Sequence, residues 1–327
     1  MPFTPRRLER GDTMDAALAL DIGGTKLAAG VVTADGRIHG FTVEPTRREE
    51  GPDVIIPRLF ELGRRAMAAA PEAAGGIRGV GISCGGPLDA AAGVLTGPLH
   101  LPGWIDIPIV DRARDEFGLP AFLENDATLA ALAEYRHGAA AGSGSSIYLT
   151  ISTGIGGGAV IDGRLHRGAA GNGGEFGHIT VVRGGRECLC GRRGCLEAYA
   201  SGTFIGRRAD ELIERGELET HLTAPTTAEH VARAAAEGDP LASVIWEETV
   251  ELLGQAVTDF VNILEPEVVV LGGGVTRSGS QLLDPVRRIV AGGAMGPAAR
   301  AVRVELAGLG DAVCAVGAGV LALDATV

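Results

Sequence analysis

One histidine and three cysteines fall within Gly171–Glu197, GNGGEFGHITVVRGGRECLCGRRGCLE, with the spacing His-x9-Cys-x-Cys-x4-Cys, as His178, Cys188, Cys190 and Cys195. One neutral imidazole and three thiolates form the donor set of a closed tetrahedral zinc site of the structural kind. Glycines between the ligands permit the tight turns that a small ion requires. A disulfide cluster is the competing reading, and a reducing compartment favours metal over paired thiols. Four protein ligands leave no open position for an activated water, which argues against a zinc hydrolase. Glu175 stands three residues before the histidine and Glu197 two after the last cysteine.

A second chemistry is written at three strand ends that open into glycine turns: Gly23-Gly24-Thr25, the run Thr153-Gly154 to Gly158, and Gly272-Gly273-Gly274. Glycine lets a turn bring its backbone N–H groups close to an anion, and threonine adds a hydroxyl donor. Lys26, beside the first turn, is the only lysine; the other basic residues are arginine. A compact ammonium there is something a planar guanidinium does not imitate. These residues together point to nucleotide phosphate, with Asp21 placed to hold Mg²⁺ or its water. No G-x-x-x-x-G-K-[ST] is present, and no G-x-G-x-x-G opens a helix, so neither a Walker A loop nor a dinucleotide fold is indicated.

Phosphoryl transfer to an alcohol needs a carboxylate within reach of the attacking hydroxyl. Asp126 is the candidate, beside Asn125 where a strand becomes a helix; equally, one of the two caps that helix. Asn125, Glu175 and Glu197 are acceptors suited to vicinal hydroxyls. If one ring nitrogen of His178 binds zinc, the other carries a proton and can donate it to a substrate hydroxyl.

The elements that must hold these groups follow from periodicity and punctuation. Residues 16–33 read as strand, glycine turn, strand, with a third strand over 37–43. A helix over 52–70 has Val54, Ile55, Leu59, Leu62 and Met67 as its expected buried face, and a strand at 77–83 follows. Residues 84–104 lack a period and read as a long, functional loop. A helix at 108–117, a strand at 121–123 and a helix closed by Gly138 come next. The opening pattern then recurs over 146–163, a weak internal repeat that suggests two related domains. Helices are expected at 201–215, 227–237 and 240–264, the last with Leu241, Val244, Ile245, Leu253, Val257, Phe260 and Leu264 inward. Strands at 267–271 and 302–306 and an apolar helix at 312–323 complete the pattern. Residues 1–15 are polar and unpatterned, an expected disordered arm, with Met14 as the expected start.

The chain has 327 residues, 46% hydrophobic and 21% charged, with a formal charge of −12. That balance suits an ordinary folded core and argues against nucleic acid or an anionic membrane as partner. No apolar run approaches the roughly 20 residues of a membrane span. Five cysteines without an export signal point to the cytoplasm.

Asp21-Ile-Gly-Gly-Thr-Lys26, Glu124-Asn-Asp-Ala127, Gly174-Glu-Phe-Gly-His178 and Cys188-x-Cys190-Gly-x-x-Gly-Cys195-Leu-Glu197 resemble the ROK family (repressors, open reading frames and sugar kinases) from about residue 16 to the C-terminus. The likeness is greatest to its bacterial glucokinases. It implies a duplicated actin/hexokinase-like (ribonuclease H-like) α/β fold of two domains with an interdomain cleft. The smaller domain would span 16–124, with the helix at 312–327 packing back on it. The larger would span 125–311 and carry the zinc loop 171–197. The resemblance also implies ATP, Mg²⁺ and structural Zn²⁺, a homodimer or homotetramer, and Asp126 as base for a hexose 6-hydroxyl. Asn125, Glu175, His178 and Glu197 would hold the sugar, and Gly86 would touch it from the segment Gly85-Gly-Pro-Leu-Asp89. Gly85 stands where the family often has proline, expected only to loosen the loop. His100 stands where its glucokinases commonly have a sugar-binding asparagine.

The expected reaction is therefore glucose and ATP to glucose 6-phosphate and ADP. N-acetylmannosamine, N-acetylglucosamine, mannose, fructose and allose remain open as acceptors, and polyphosphate as donor. A sugar-sensing repressor of the same family is disfavoured, since only about 15 residues precede the first strand. On this reading the zinc loop serves the sugar, and losing a ligand leaves the nucleotide turns intact.

Overall fold

The computed structural model describes residues 15–326, so the expected arm, but for Asp15, and the expected start at Met14 lie outside the described residues. The described residues form two compact units. One runs to Leu129 and includes the residues from Ala312 onward; the other is Ala130–Asp311.

The first unit contains β1 (Ala16–Ile22), β2 (Lys26–Thr33), β3 (Ile38–Pro45), α1 (Pro52–Ala69), α2 (Pro71–Ala74), β4 (Ile77–Cys84), β5 (Leu88–Asp89), β6 (Val94–Leu95), α3 (Ile109–Phe117), β7 (Ala121–Asn125) and the start of α4 (Asp126–His137). Its sheet order is β3-β2-β1-β4-β7. β1 and β2 pair antiparallel, as do β2 and β3, whereas β4 and β7 continue the sheet in parallel. Ala16 to Leu20 are all fully buried, as a central strand covered on both faces requires.

α1 buries Ile55, Ile56, Leu59, Phe60, Leu62 and Ala66, while Val54, expected inside, is 52% exposed. Val54 shares its helix stripe with Arg58 and Glu61, so the apolar arc is centred one residue further along. The stretch expected as an unbroken loop, 84–104, instead contains the small β5–β6 hairpin. Leu95, Leu101 and Trp104 anchor it in the unit's core.

The second unit repeats the plan with β8 (Ser146–Ile151), β9 (Ile155–Ile161), β10 (Arg164–Leu165), α5 (Glu197–Ala200), α6 (Gly202–Arg215), α7 (Ala228–Ala236), α8 (Pro240–Leu264), β11 (Val268–Gly272), α9 (Ser280–Gly293), α10 (Gly296–Ala301) and β12 (Arg303–Leu306). Its sheet order, β10-β9-β8-β11-β12, has the same sequence of antiparallel and parallel neighbours. The repeat read in the sequence is thus a repeat of topology.

Three of its helices start on side-chain caps: Ser201, Thr227 and Asp239 accept from the N–H groups of Phe204, His230 and Ala242. α8 buries Leu241, Ile245, Leu253, Val257 and Phe260, but Val244 is 51% exposed on the stripe it shares with Glu247 and Glu251. The final helix, α11 (Val313–Ala325), returns to the first unit and packs on β4 and β1. Among the described residues no helix is long and apolar enough to cross a membrane.

Candidate active site

In the first unit, strand register collects the polar groups at one edge. Asp21 on β1 lies opposite Ser83 on β4, and Cys84 on β4 lies opposite Asn125 on β7. The carboxyl ends of neighbouring parallel strands are where open α/β sheets bind ligands. Asn125 ends β7, and its Oδ1 accepts from the N–H groups of Ala127 at 3.0 Å and Thr128 at 3.1 Å. Asn125 is therefore the helix cap. Asp126 begins α4, and its Oδ1 accepts its neighbour's N–H, from Ala127 at 2.8 Å.

Burial pushes the Asp126 carboxyl above the ordinary range, against the downward pull of the Ala127 N–H and of His100. Burial, opposed by the Ser83 hydroxyl and aided by the charge of Asp126, raises Asp21 to about 7. Cys84 and Cys314 stand among the same acids, and both thiols are pushed up by burial and those charges. Cys314 also donates to the Asp126 carbonyl at 3.7 Å. Ser83 and both cysteines escaped the sequence reading; a polar pair ending the buried run of β4 was the available signal.

His100 settles the meaning of Gly85. A Cβ on Gly85 would stand 2.9 Å from the His100 Nδ1, and one on Gly24 would stand 3.1 Å from its Cβ. The imidazole occupies a slot between two glycines, so Gly85 does more than loosen the loop. A side chain at 85 would meet the ring at 100.

The Gly23–Lys26 turn closes on itself, with Gly23 N–H donating to the Lys26 carbonyl at 2.9 Å and Thr46 Oγ1 donating to the Gly23 carbonyl at 2.6 Å. Thr25 and Lys26 are exposed.

In the second unit the ligand atoms of His178, Cys188, Cys190 and Cys195 all lie within 4.8 Å of one another. Cys188 Sγ is 3.7 Å from His178 Nδ1, and Cys190 Sγ is 3.7 Å from Cys195 Sγ. Tetrahedral zinc with Zn–S bonds of about 2.3 Å sets its sulfurs about 3.8 Å apart, so the four donors fit that ion. All five cysteines are free, which removes the disulfide reading. The other face of the His178 ring carries Nε2, 3.8 Å from a Glu175 carboxylate oxygen. Arg192 ties the loop internally by donating to the His178 carbonyl at 2.9 Å. Arg186 ties it to α8 through Glu248 at 2.6 Å while lying over the Tyr199 ring.

A cavity of about 810 Å³ lies in the same unit, lined by Thr153 and Gly274 from two of the glycine turns and by Arg207, Asp210, Glu229 and Arg277. Asp210 is already engaged, accepting from Thr226 N–H at 2.9 Å and Oγ1 at 2.6 Å. Gly154, Gly272 and Gly273 do not line it. The charged lining residues on α6, α7 and the turn after Gly274 carried no sequence spacing that would have singled them out.

The sequence pattern of the ROK family matches residues 17–325. The chain belongs to the ROK family. A glucokinase of Thermotoga maritima is 35% identical over 284 residues, covering 84% of this chain and 86% of that one. An N-acetylmannosamine kinase of Citrobacter koseri is 35% identical over 260 residues, 80% of this chain and 83% of that one. Among solved structures, a ROK hexokinase from Thermus thermophilus superposes with a TM-score of 0.80 at 38% identity, covering 94% of this chain and 97% of that chain. A ROK glucokinase from Streptomyces griseus, in complex with glucose and AMPPNP, gives a TM-score of 0.76 at 34% identity, covering 94% and 99%. The duplicated sheets are thus those of the actin/hexokinase-like fold, and this ROK protein is a sugar kinase.

Proposed function

We propose that the protein is an ATP-dependent hexokinase that phosphorylates the 6-hydroxyl of a hexose, with glucose the preferred acceptor. Asp126 carries the reading. It is a carboxylate at the carboxyl end of a parallel strand, left out of the helix cap by Asn125 and raised in pKa by burial. A carboxylate whose pKa is moved toward neutrality is a better general base at physiological pH. Asp126 takes the proton of the 6-hydroxyl as its oxygen attacks the γ-phosphorus, and ADP leaves with the electrons of the broken bond.

The cavity at Thr153 and Gly274 suits the nucleotide, with Gly154, Gly272 and Gly273 as further phosphate donors of the second unit; Gly23–Lys26 is the phosphate turn proposed for the first. Mg²⁺ would offset the phosphate charge, held at or through water near Asp21, whose burial cost a dication relieves. Zinc would hold the His178, Cys188, Cys190 and Cys195 loop, with Glu175, His178 and Glu197 as the sugar residues of the second unit; Asn125, Gly86 and His100 are those proposed for the first. A cytoplasmic setting accords with five free cysteines and with ATP as donor.

His100 and the N-acetylmannosamine kinase relative favour a second acceptor, another hexose such as N-acetylmannosamine, N-acetylglucosamine, fructose or allose. Coupled ADP release across a panel of hexoses decides between them, with kcat/KM expected highest for glucose. A better substrate in the panel would overturn glucose and leave the hexokinase. No turnover of any hexose with ATP or polyphosphate would overturn the kinase reading itself.

A further inference from the structure

Glu197 opens α5 two residues after Cys195, and its carboxylate faces two ways. Cys188 Sγ lies 3.5 Å from Oε1. Oε2 accepts the Ile155 N–H at 2.9 Å, at the mouth of the β8–β9 hairpin. The contact is close: a Cβ added to Gly154 would lie 2.6 Å from that oxygen. The hairpin turn is otherwise held by Ser152 N–H donating to the Gly154 carbonyl at 2.9 Å and by Gly202 N–H donating to the Ser152 carbonyl at 2.7 Å. Gly202 belongs to α6, whose Ile205 and Ala209 lie in the unit's core, as do Leu196 and Ala200 on either side of Glu197. Of these bonds, the one to Ile155 comes from a side chain that also touches the cluster, through Cys188.

We propose that Glu197 is a positioning residue that couples the His/Cys₃ cluster to the nucleotide turn Ser152–Ile155, so that metal affinity and nucleotide affinity rise together. This rests on the reading of the cluster as a zinc site and of the turn as a phosphate site. It replaces the expectation that losing a cysteine ligand leaves the nucleotide turns intact. Ordering the cluster fixes the start of α5, the start of α5 aims the carboxylate, and the carboxylate fixes the Ile155 amide beside Thr153 of the cavity. Coupling of this kind is reciprocal: whatever zinc does for nucleotide, the turn does for zinc.

The test reads each site from the other. Gly154 has no left-handed backbone requirement, so Gly154→Ala adds only a methyl group that displaces the Glu197 carboxylate. With no substrate present, zinc affinity from competition with a chromophoric chelator should fall about tenfold in Gly154→Ala. Calorimetric ADP affinity should fall about five- to tenfold when zinc is removed from the wild type. That dependence should vanish in Glu197→Ala and return in Glu197→Gln, which keeps an acceptor for Ile155 N–H.

Unchanged zinc affinity in Gly154→Ala, or equal ADP affinity with and without zinc, overturns the coupling alone. Failure of the zinc-loaded wild type to bind ADP overturns it together with the nucleotide reading. If the zinc-free protein unfolds, the loaded Gly154→Ala measurement still decides.

Discussion

The β1–β2 and β8–β9 hairpins occupy the same place in two sheets of the same topology, yet they are finished by different means. Around the first, the candidate groups sit at strand ends: Asp21 is one residue short of the end of β1, Asn125 ends β7, and Asp126 follows directly. Sheet register alone brings them together. Around the second, the carboxylate comes from Glu197, 42 residues beyond the amide it meets. It arrives on a glycine-rich excursion that carries the four clustered donors. A strand end is positioned by backbone ladders already needed for folding. A long loop has no such support, and its ordering entropy, roughly 1–2 kcal/mol per residue, must be offset by something local such as a metal.

The largest effect expected at the self-contained edge is from Asp126→Ala, which should lower kcat by about 10²–10⁴-fold in the coupled ADP-release assay. Zinc content and sugar affinity should stay near wild type. A variant with near-normal turnover removes Asp126 as base, and one that loses its zinc breaks the separation of the two edges.

Smaller and dependent on pH is the response of Asp21. Its carboxyl is raised from 3.8 to about 7 by burial, so its ionisation costs stability as pH rises through that window and costs nothing below it. Asp21→Asn should therefore raise the melting temperature at pH 8, with the gain shrinking toward zero as pH falls to 4. A gain that grows on acidification would reverse the assignment.

Smallest is Gly85→Ala, which must move the His100 ring. It should change the hexose KM several-fold at little cost in kcat, and Gly85→Ala with His100→Asn should be milder than the two effects added. Strict additivity would separate the two positions.

Local spacing made much of this legible. The two hairpins, the Asn125-Asp126 junction and the candidate ligand set each lie within one short stretch of chain, where turn chemistry and donor counting apply. Val54 and Val244 misled because an apolar residue on the flank of a helix matches the period without facing the core. Asn125 and Asp126 could not be divided between cap and base until the hydrogen bonds to Ala127 and Thr128 assigned the cap.

By itself, then, the sequence determined which residues carry donors, where strands yield to glycine turns, and that the plan is duplicated, because each depends on neighbours close along the chain. Only the tertiary structure decided that His100 lies against Gly85, that Arg207, Asp210 and Glu229 line one cavity, and that Glu197 reaches Ile155. Those contacts join positions far apart in sequence, where packing of distant side chains selects partners and no periodicity records the choice.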